Sequence, residues 1–209
     1  MIGLIKKDFL IIKGNLKLII VMLFVFFIMA LQGQFDISFV PSFIVVIVFM
    51  TTFSYDEYNK WDVYVTSLPN GRKNVVKSKY VASLILIMVS IIITLLLNCL
   101  VGVINHNLEF SKFISNLIGG SFATILIQAI MFPFIFKFGI EKGRICLFVL
   151  TFVIVGIVRL FSEIIKISIP KKIILLFNDY WFIIIPIILI ILLLISYKIS
   201  KKIYLKKEF

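Results

Sequence analysis

Six apolar runs divide the chain, at about residues 16–31, 39–53, 81–103, 113–136, 145–161 and 181–197. An α-helix rises about 1.5 Å per residue, so crossing a hydrocarbon core of about 30 Å takes about 20 apolar residues. The first two runs are near the short limit and the third is the clearest. Read as helices, the runs predict an all-α integral membrane protein, a single domain over 1–209 with six transmembrane spans. Ahead of the first run, Ile2, Ile5, Phe9 and Ile12 recur at spacings of three and four, with Lys6, Lys7, Asp8 and Lys13 between them. That pattern predicts a short amphipathic helix lying in the headgroup region, apolar face down. Ala30-Leu31-Gln32 matches a signal cleavage site poorly, so the first run is expected to stay as a span.

Composition agrees with this class. The chain is 62% hydrophobic, against about 45–50% for soluble domains, and its mean hydropathy is +1.16. A net charge of +12 would suit a nucleic-acid partner if the basic residues formed one soluble patch. They stand instead at the ends of apolar runs. With both termini placed in the cytoplasm, only Lys112, Arg159, Lys166, Lys171 and Lys172 fall outside, which is the positive-inside bias of an even number of spans. Cys99 and Cys146 lie in or beside apolar runs and read as small buried hydrophobes. His106 is the sole histidine, and no carboxylate cluster accompanies it, so no metal site is expected. No nucleophile–base pair and no GxxxxGK[ST] phosphate loop can be found, so any energy source must be a separate subunit.

Four of the five exceptions share the segment Arg159–Tyr180. It is too apolar for an ordinary loop, yet Pro170 and Lys171-Lys172 split it into halves too short to cross. Two short helices dipping into the outer leaflet and returning would keep its backbone hydrogen-bonded. Arg159 and Glu163, four apart, could pair on one helix face at the interface or form a solvated surface pair. Within the spans the polar residues are few. Thr94, Asn98 and Gln128 are expected mainly to join helices, and Pro133 follows Gln128 by about a turn. Gly119, Gly120, Ser121 and Ala123 would let another backbone approach closely or make a flexible point. No acid lies deep in a span, which disfavours ion-coupled carriage.

The stretch Phe53–Tyr80, FSYDEYNKWDVYVTSLPNGRKNVVKSKY, interrupts the apolar pattern on the basic side. Ser54-Tyr55-Asp56-Glu57 matches a capping box and predicts a new helix starting there, with Asp56 and Glu57 at its positive end. Tyr58, Trp61, Val65 and Leu68 then fall on one side, and Asp56 and Lys60 form an i,i+4 pair on another. Leu68-Pro69-Asn70-Gly71 ends the helix as a turn. Arg72 to Lys79 make a basic approach to the third span. Such an aromatic stripe can rest on its own membrane surface or fill a groove on a partner.

At these residues the chain resembles the membrane subunits of ATP-binding-cassette type-2 exporters, and more narrowly their short bacterial permeases. The resemblance is carried by Leu4–Asp8 at the start. In the core it is carried by Tyr55-Asp56-Glu57, Lys60-Trp61-Asp62, Ser67-Leu68-Pro69, Arg72-Lys73 and Ser78-Lys79-Tyr80. It implies a six-span permease in the bacterial cell membrane, both termini cytoplasmic, paired with a second identical or homologous permease. It also implies re-entrant outer helices before the last span, and a coupling helix between the second and third spans that docks on a cytoplasmic ATPase. The docking residues would be Tyr55, Asp56, Glu57, Tyr58, Lys60, Trp61, Asp62, Val65 and Leu68. ATP and magnesium would sit on that partner, leaving this chain without a cofactor or catalytic residue. Cargo in similar permeases is cytolytic or antimicrobial peptide. A different class of function, a non-transporting scaffold or immunity protein that binds a toxin or signalling partner, would not need this motif.

Overall fold

The computed structural model describes residues 2–33, 36–68, 71–105, 110–168 and 171–207. Side-chain surroundings are described for all of these except 66, 110–113, 115, 154–155, 158–168 and 171–186. The described chain is helical throughout, without strands. The helices are α1 (Ile2–Gly14), α2 (Leu16–Leu31), α3 (Val40–Tyr58), α4 (Trp61–Thr66), α5 (Gly71–Ile104), α6 (Phe110–Phe138), α7 (Ile140–Ser168) and α8 (Lys171–Lys206). A 3-10 turn, Ile37–Phe39, leads into α3.

The helices follow the apolar runs, and all but α2 overshoot them. α3 does not stop at Phe53, and no capping box forms. The Ser54 hydroxyl donates to the Met50 carbonyl 2.9 Å away, because the helix continues beneath it. The chain breaks instead at Asn59 and Lys60, where Lys60 takes a left-handed conformation (φ 48°). The expected single helix from Ser54 to Leu68 is therefore the last turn of α3 plus the six-residue α4. The basic approach Arg72–Lys79 forms the first turns of a 34-residue α5.

Three helical stretches among the described residues are long and apolar enough to cross a membrane: Ile37–Tyr58, Gly71–Ile104 and Asn116–Phe138. α1 and α2 make a fourth if taken together, although they bend by 57° at Asn15. Of the runs expected as spans five and six, surroundings are described for 145–153, 156–157 and 187–197, and neither run is among the stretches long and apolar enough to cross. Residues 159–168 continue α7 and 171–180 open α8. The two short helices expected there are thus the end of α7 and the start of α8, while the Arg159–Glu163 pair lies outside the described side chains.

α3 is the central helix. Some 72% of its most apolar window is buried within the chain, against 17% for α5. It packs on α5 and α6, and α6 in turn packs most extensively on α8. Edge-to-face rings fill the centre: Phe49 and Phe53 of α3 meet Phe132 and Phe136 of α6, and Tyr80 of α5 meets Phe132. Of the small residues of α6, Gly120 serves close approach. A Cβ on Gly120 would come within 3.3 Å of the Ser42 hydroxyl and 3.4 Å of the Phe39 ring.

Two polar devices hold the spans together. Asn98 on α5 accepts from the Ser38 hydroxyl at 3.1 Å and donates to the Thr94 carbonyl at 2.9 Å, which ties α5 to the 3-10 turn. The other begins with Pro133, which has no N–H for the Ala129 carbonyl one turn back. The Ser196 hydroxyl of α8 donates to that carbonyl at 2.6 Å. With its proton so used, Ser196 accepts from the Tyr80 phenol at 2.6 Å, and Ser200 donates to Tyr80 at 2.8 Å. A backbone group freed inside a membrane helix is thus satisfied by a neighbouring helix. Gln128 differs. It is 1% exposed, and neither its amide nitrogen nor its oxygen finds a partner among the described residues. Leucine has similar bulk and nothing to leave unpaired, so Gln128→Leu is expected to raise stability by about 1–3 kcal/mol. Equilibrium unfolding in micelles measures this, and a destabilised Gln128→Leu would mean the amide has a partner.

Candidate functional site

Asp56, Asp62, Arg72 and Lys79 of the 53–80 stretch converge where α1, α3, α4, α5 and α8 meet. Lys79 of α5 is 2% exposed. Its ammonium lies 2.9 Å from Asp8 Oδ1 and 2.7 Å from Asp56 Oδ2, with the Thr52 hydroxyl at 3.3 Å and the Phe53 ring at 4.7 Å. Lys7 of α1 pairs with Asp56 and sits 3.5 Å from Asp8. Two cations and two carboxylates thus form a neutral cluster at which α1, α3 and α5 are joined. Charges this deep persist only when paired and hydrogen-bonded. The expected Asp56–Lys60 pair does not form, because Asp56 points inward and Lys60 is exposed beyond the helix break. The N-terminal helix does not turn all its charges to the headgroups: Asp8 is buried at 1%, so the charges between its apolar positions face α3 and α5 as well as solvent.

α4 is anchored from several sides. Val65 is fully buried. Trp61 is half-buried with Lys7 4.4 Å from its ring centroid, and it tilts against Tyr64 at 5.0 Å. Asp62 accepts from the Tyr204 phenol at 2.7 Å and has Lys207 3.8 Å away. Arg72 donates to the Leu205 carbonyl at 3.2 Å. Burial and the adjacent Asp62 carboxylate push the Tyr204 phenol well above its ordinary pKa, so it remains a donor.

At the end of α3, Tyr55, Glu57 and Tyr58 face outward. Tyr55, Glu57 and Tyr58 line a cleft of about 440 Å³ together with Ser54, Ile140, Glu141 and Arg144. Glu57 Oε2 accepts from the Ile140 N–H at 2.8 Å, so an acid from α3 caps the positive end of α7. The α6–α7 junction there turns through Gly139 (φ +87°), a conformation that suits glycine. Arg144 donates to Ser54 at 2.9 Å. Tyr58 is 87% exposed, whereas Leu68 is 38% exposed.

The anticipated stripe is therefore divided. Tyr58 and Leu68 face out, Trp61 is half-covered and Val65 faces in, because the left-handed Lys60 resets the helical phase. Val63 and Tyr64 complete the exposed surface, and periodicity counted across the break could not have found them. Lys7, Asp8, Lys79 and Tyr204 were likewise missed as partners. Their only signal is charge or hydroxyl in otherwise apolar or basic turns, far away in sequence.

Comparison with curated proteins and with solved structures gave no match. A family model described as ABC-2 family transporter protein matches residues 3–205, nearly the whole chain. The chain belongs to the ABC-2 transporter family.

Proposed function

We propose that this chain is the six-span permease subunit of an ATP-driven exporter and that the end of α3 together with α4 docks a cytoplasmic ATPase. Family membership supports a permease role and association with an ATP-binding-cassette ATPase. The observation that carries the docking site is the form of α4. This six-residue helix stands between two long apolar helices, is anchored inward by Asp62 and Val65, and presents Val63 and Tyr64 outward beside Tyr58 at the end of α3. Exposed tyrosines on a fixed platform are common anchors of protein interfaces.

The distribution of basic residues supports cytoplasmic termini, and the resemblance of the Phe53–Tyr80 core supports a bacterial cell membrane, a second permease and an amphipathic peptide cargo. Because α4 is held by α5 and α8, nucleotide-driven movement of the ATPase would reach the spans through it. Replacing Tyr58 and Tyr64 together by alanine is expected to cut co-purification of the ATPase at least about tenfold, as loss of an aromatic anchor costs about 2 kcal/mol or more. The thermal midpoint should hold, since both side chains are exposed. Undiminished association would rule out this surface as the docking site.

A further inference from the structure

α8 reaches from the docking helix to the proline position of α6 along one face. Ser196, Ser200 and Tyr204 are spaced by four, so they stack on a single side of the helix. Tyr204 holds Asp62 of α4, Ser200 and Ser196 hold Tyr80 of α5, and Ser196 holds the Ala129 carbonyl that Pro133 leaves free. Rings follow the same line. Tyr204 packs edge-on against Phe136 at 5.3 Å, Phe136 against Phe53 at 5.4 Å, and Tyr197 against Tyr80 at 5.5 Å. Behind α4 lies a cavity of about 260 Å³. Asp62 and Tyr204 both line it, with Phe53, Phe136 and Lys79. A helix backed by a cavity has room to shift, whereas a close-packed one does not.

We infer that the cytoplasmic end of α8 is a connecting rod: Tyr204 engages Asp62 of α4, and the Ser196–Ser200–Tyr204 face carries displacement of α4 to α6 at Pro133. The inference rests on α4 being the docking helix. Tyr204 is then a positioning residue that acts through its hydroxyl, and Ser196 is its counterpart at the far end. Two features distinguish this from ordinary packing. The link to α4 is a directed hydrogen bond rather than buried area, and its far end is the one carbonyl that α6 itself cannot satisfy at Pro133.

The test uses the permease with its co-purified ATPase, compared without nucleotide and trapped with ATP and vanadate. Amide hydrogen exchange is followed in α4 and in residues 129–138. In the parent complex both segments should change on trapping. Tyr204→Phe keeps the ring against Phe136 and removes only the hydroxyl. It should retain ATPase association and the α4 response, while the response of 129–138 falls at least threefold. Ser196→Ala, far from the docking surface, should give the same loss. If Tyr204→Phe and Ser196→Ala both leave the α6 response at the parent level while α4 responds, the rod is overturned and the docking reading stands. If α4 of the parent complex does not respond to trapping, both fall.

Discussion

Lys79→Met is expected to destabilise the protein by about 3–5 kcal/mol, the cost of stranding buried charge when one partner of an internal ion pair is removed. Asp8 and Asp56 would then share Lys7 alone, which is already partly solvent-exposed at 23% of its side chain. The loss is a desolvation effect more than a lost attraction, because Lys79 satisfies two carboxylates from helices that would otherwise bring like charges together. That origin predicts its rescue. Adding Asp8→Asn to Lys79→Met leaves one cation, Lys7, facing one carboxylate, Asp56, and should recover more than half of the lost stability. Lys7→Met should cost less than Lys79→Met, since water screens its side of the cluster. Equilibrium unfolding in mixed micelles gives all three values. A Lys79→Met protein within about 1 kcal/mol of the parent would show that water reaches these charges and that the cluster is not a buried junction.

What could be read from the chain and what could not divides along one physical line. Long apolar runs report their environment residue by residue, so the all-helical fold was legible from pattern alone, whereas three or four of the six expected spans are long and apolar enough to cross a membrane among the described residues. Boundaries were not legible. Hydropathy counts Lys79 as a solvent residue, but in the fold it is an internal one, neutralised by Asp8 from 71 positions earlier. Nothing local records such a pairing. The Ser54–Glu57 pattern failed for a related reason: a serine hydroxyl can cap a helix start or bond back to a carbonyl four residues earlier. Only the continuation of α3 decides between them. Lys60 was illegible because a left-handed non-glycine residue is uncommon, and neither Asn59 nor Lys60 announces it. Even so, the stretch that drew attention in the sequence contains the internal anchors. Asp56 meets Lys7 and Lys79, Asp62 meets Tyr204, and Tyr80 meets Ser196 and Ser200. Several residues taken from the motif as contacts for a partner thus hold the platform on which such contacts stand.

That distinction makes Gly71 the most sensitive backbone position beside the proposed docking site. Gly71 opens α5 directly beneath α4, and its N–H donates to the Leu68 carbonyl at 3.0 Å. A Cβ there would lie 2.1 Å from the Val65 carbonyl oxygen and 3.0 Å from Val65 Cγ1. Because the obstacle is backbone, no rotamer change relieves it, and α4 must move by more than an ångström, on the order of what restores an ordinary contact distance. Gly71→Ala should therefore draw Val65 out of its fully buried site, with a loss of about 1.5–3 kcal/mol, and tilt the Tyr64 face away from its partner. ATPase co-purification should fall below detection, although the Lys7–Asp8–Asp56–Lys79 junction does not include Gly71. Gly3→Ala in α1 supplies the contrast, since nothing lies within 4 Å of its added carbon. It should be neutral or stabilising by up to about 1 kcal/mol. Normal ATPase association in Gly71→Ala would separate the position of α4 from docking and leave the exposed end of α3, with Tyr55 and Tyr58, to account for the interface alone.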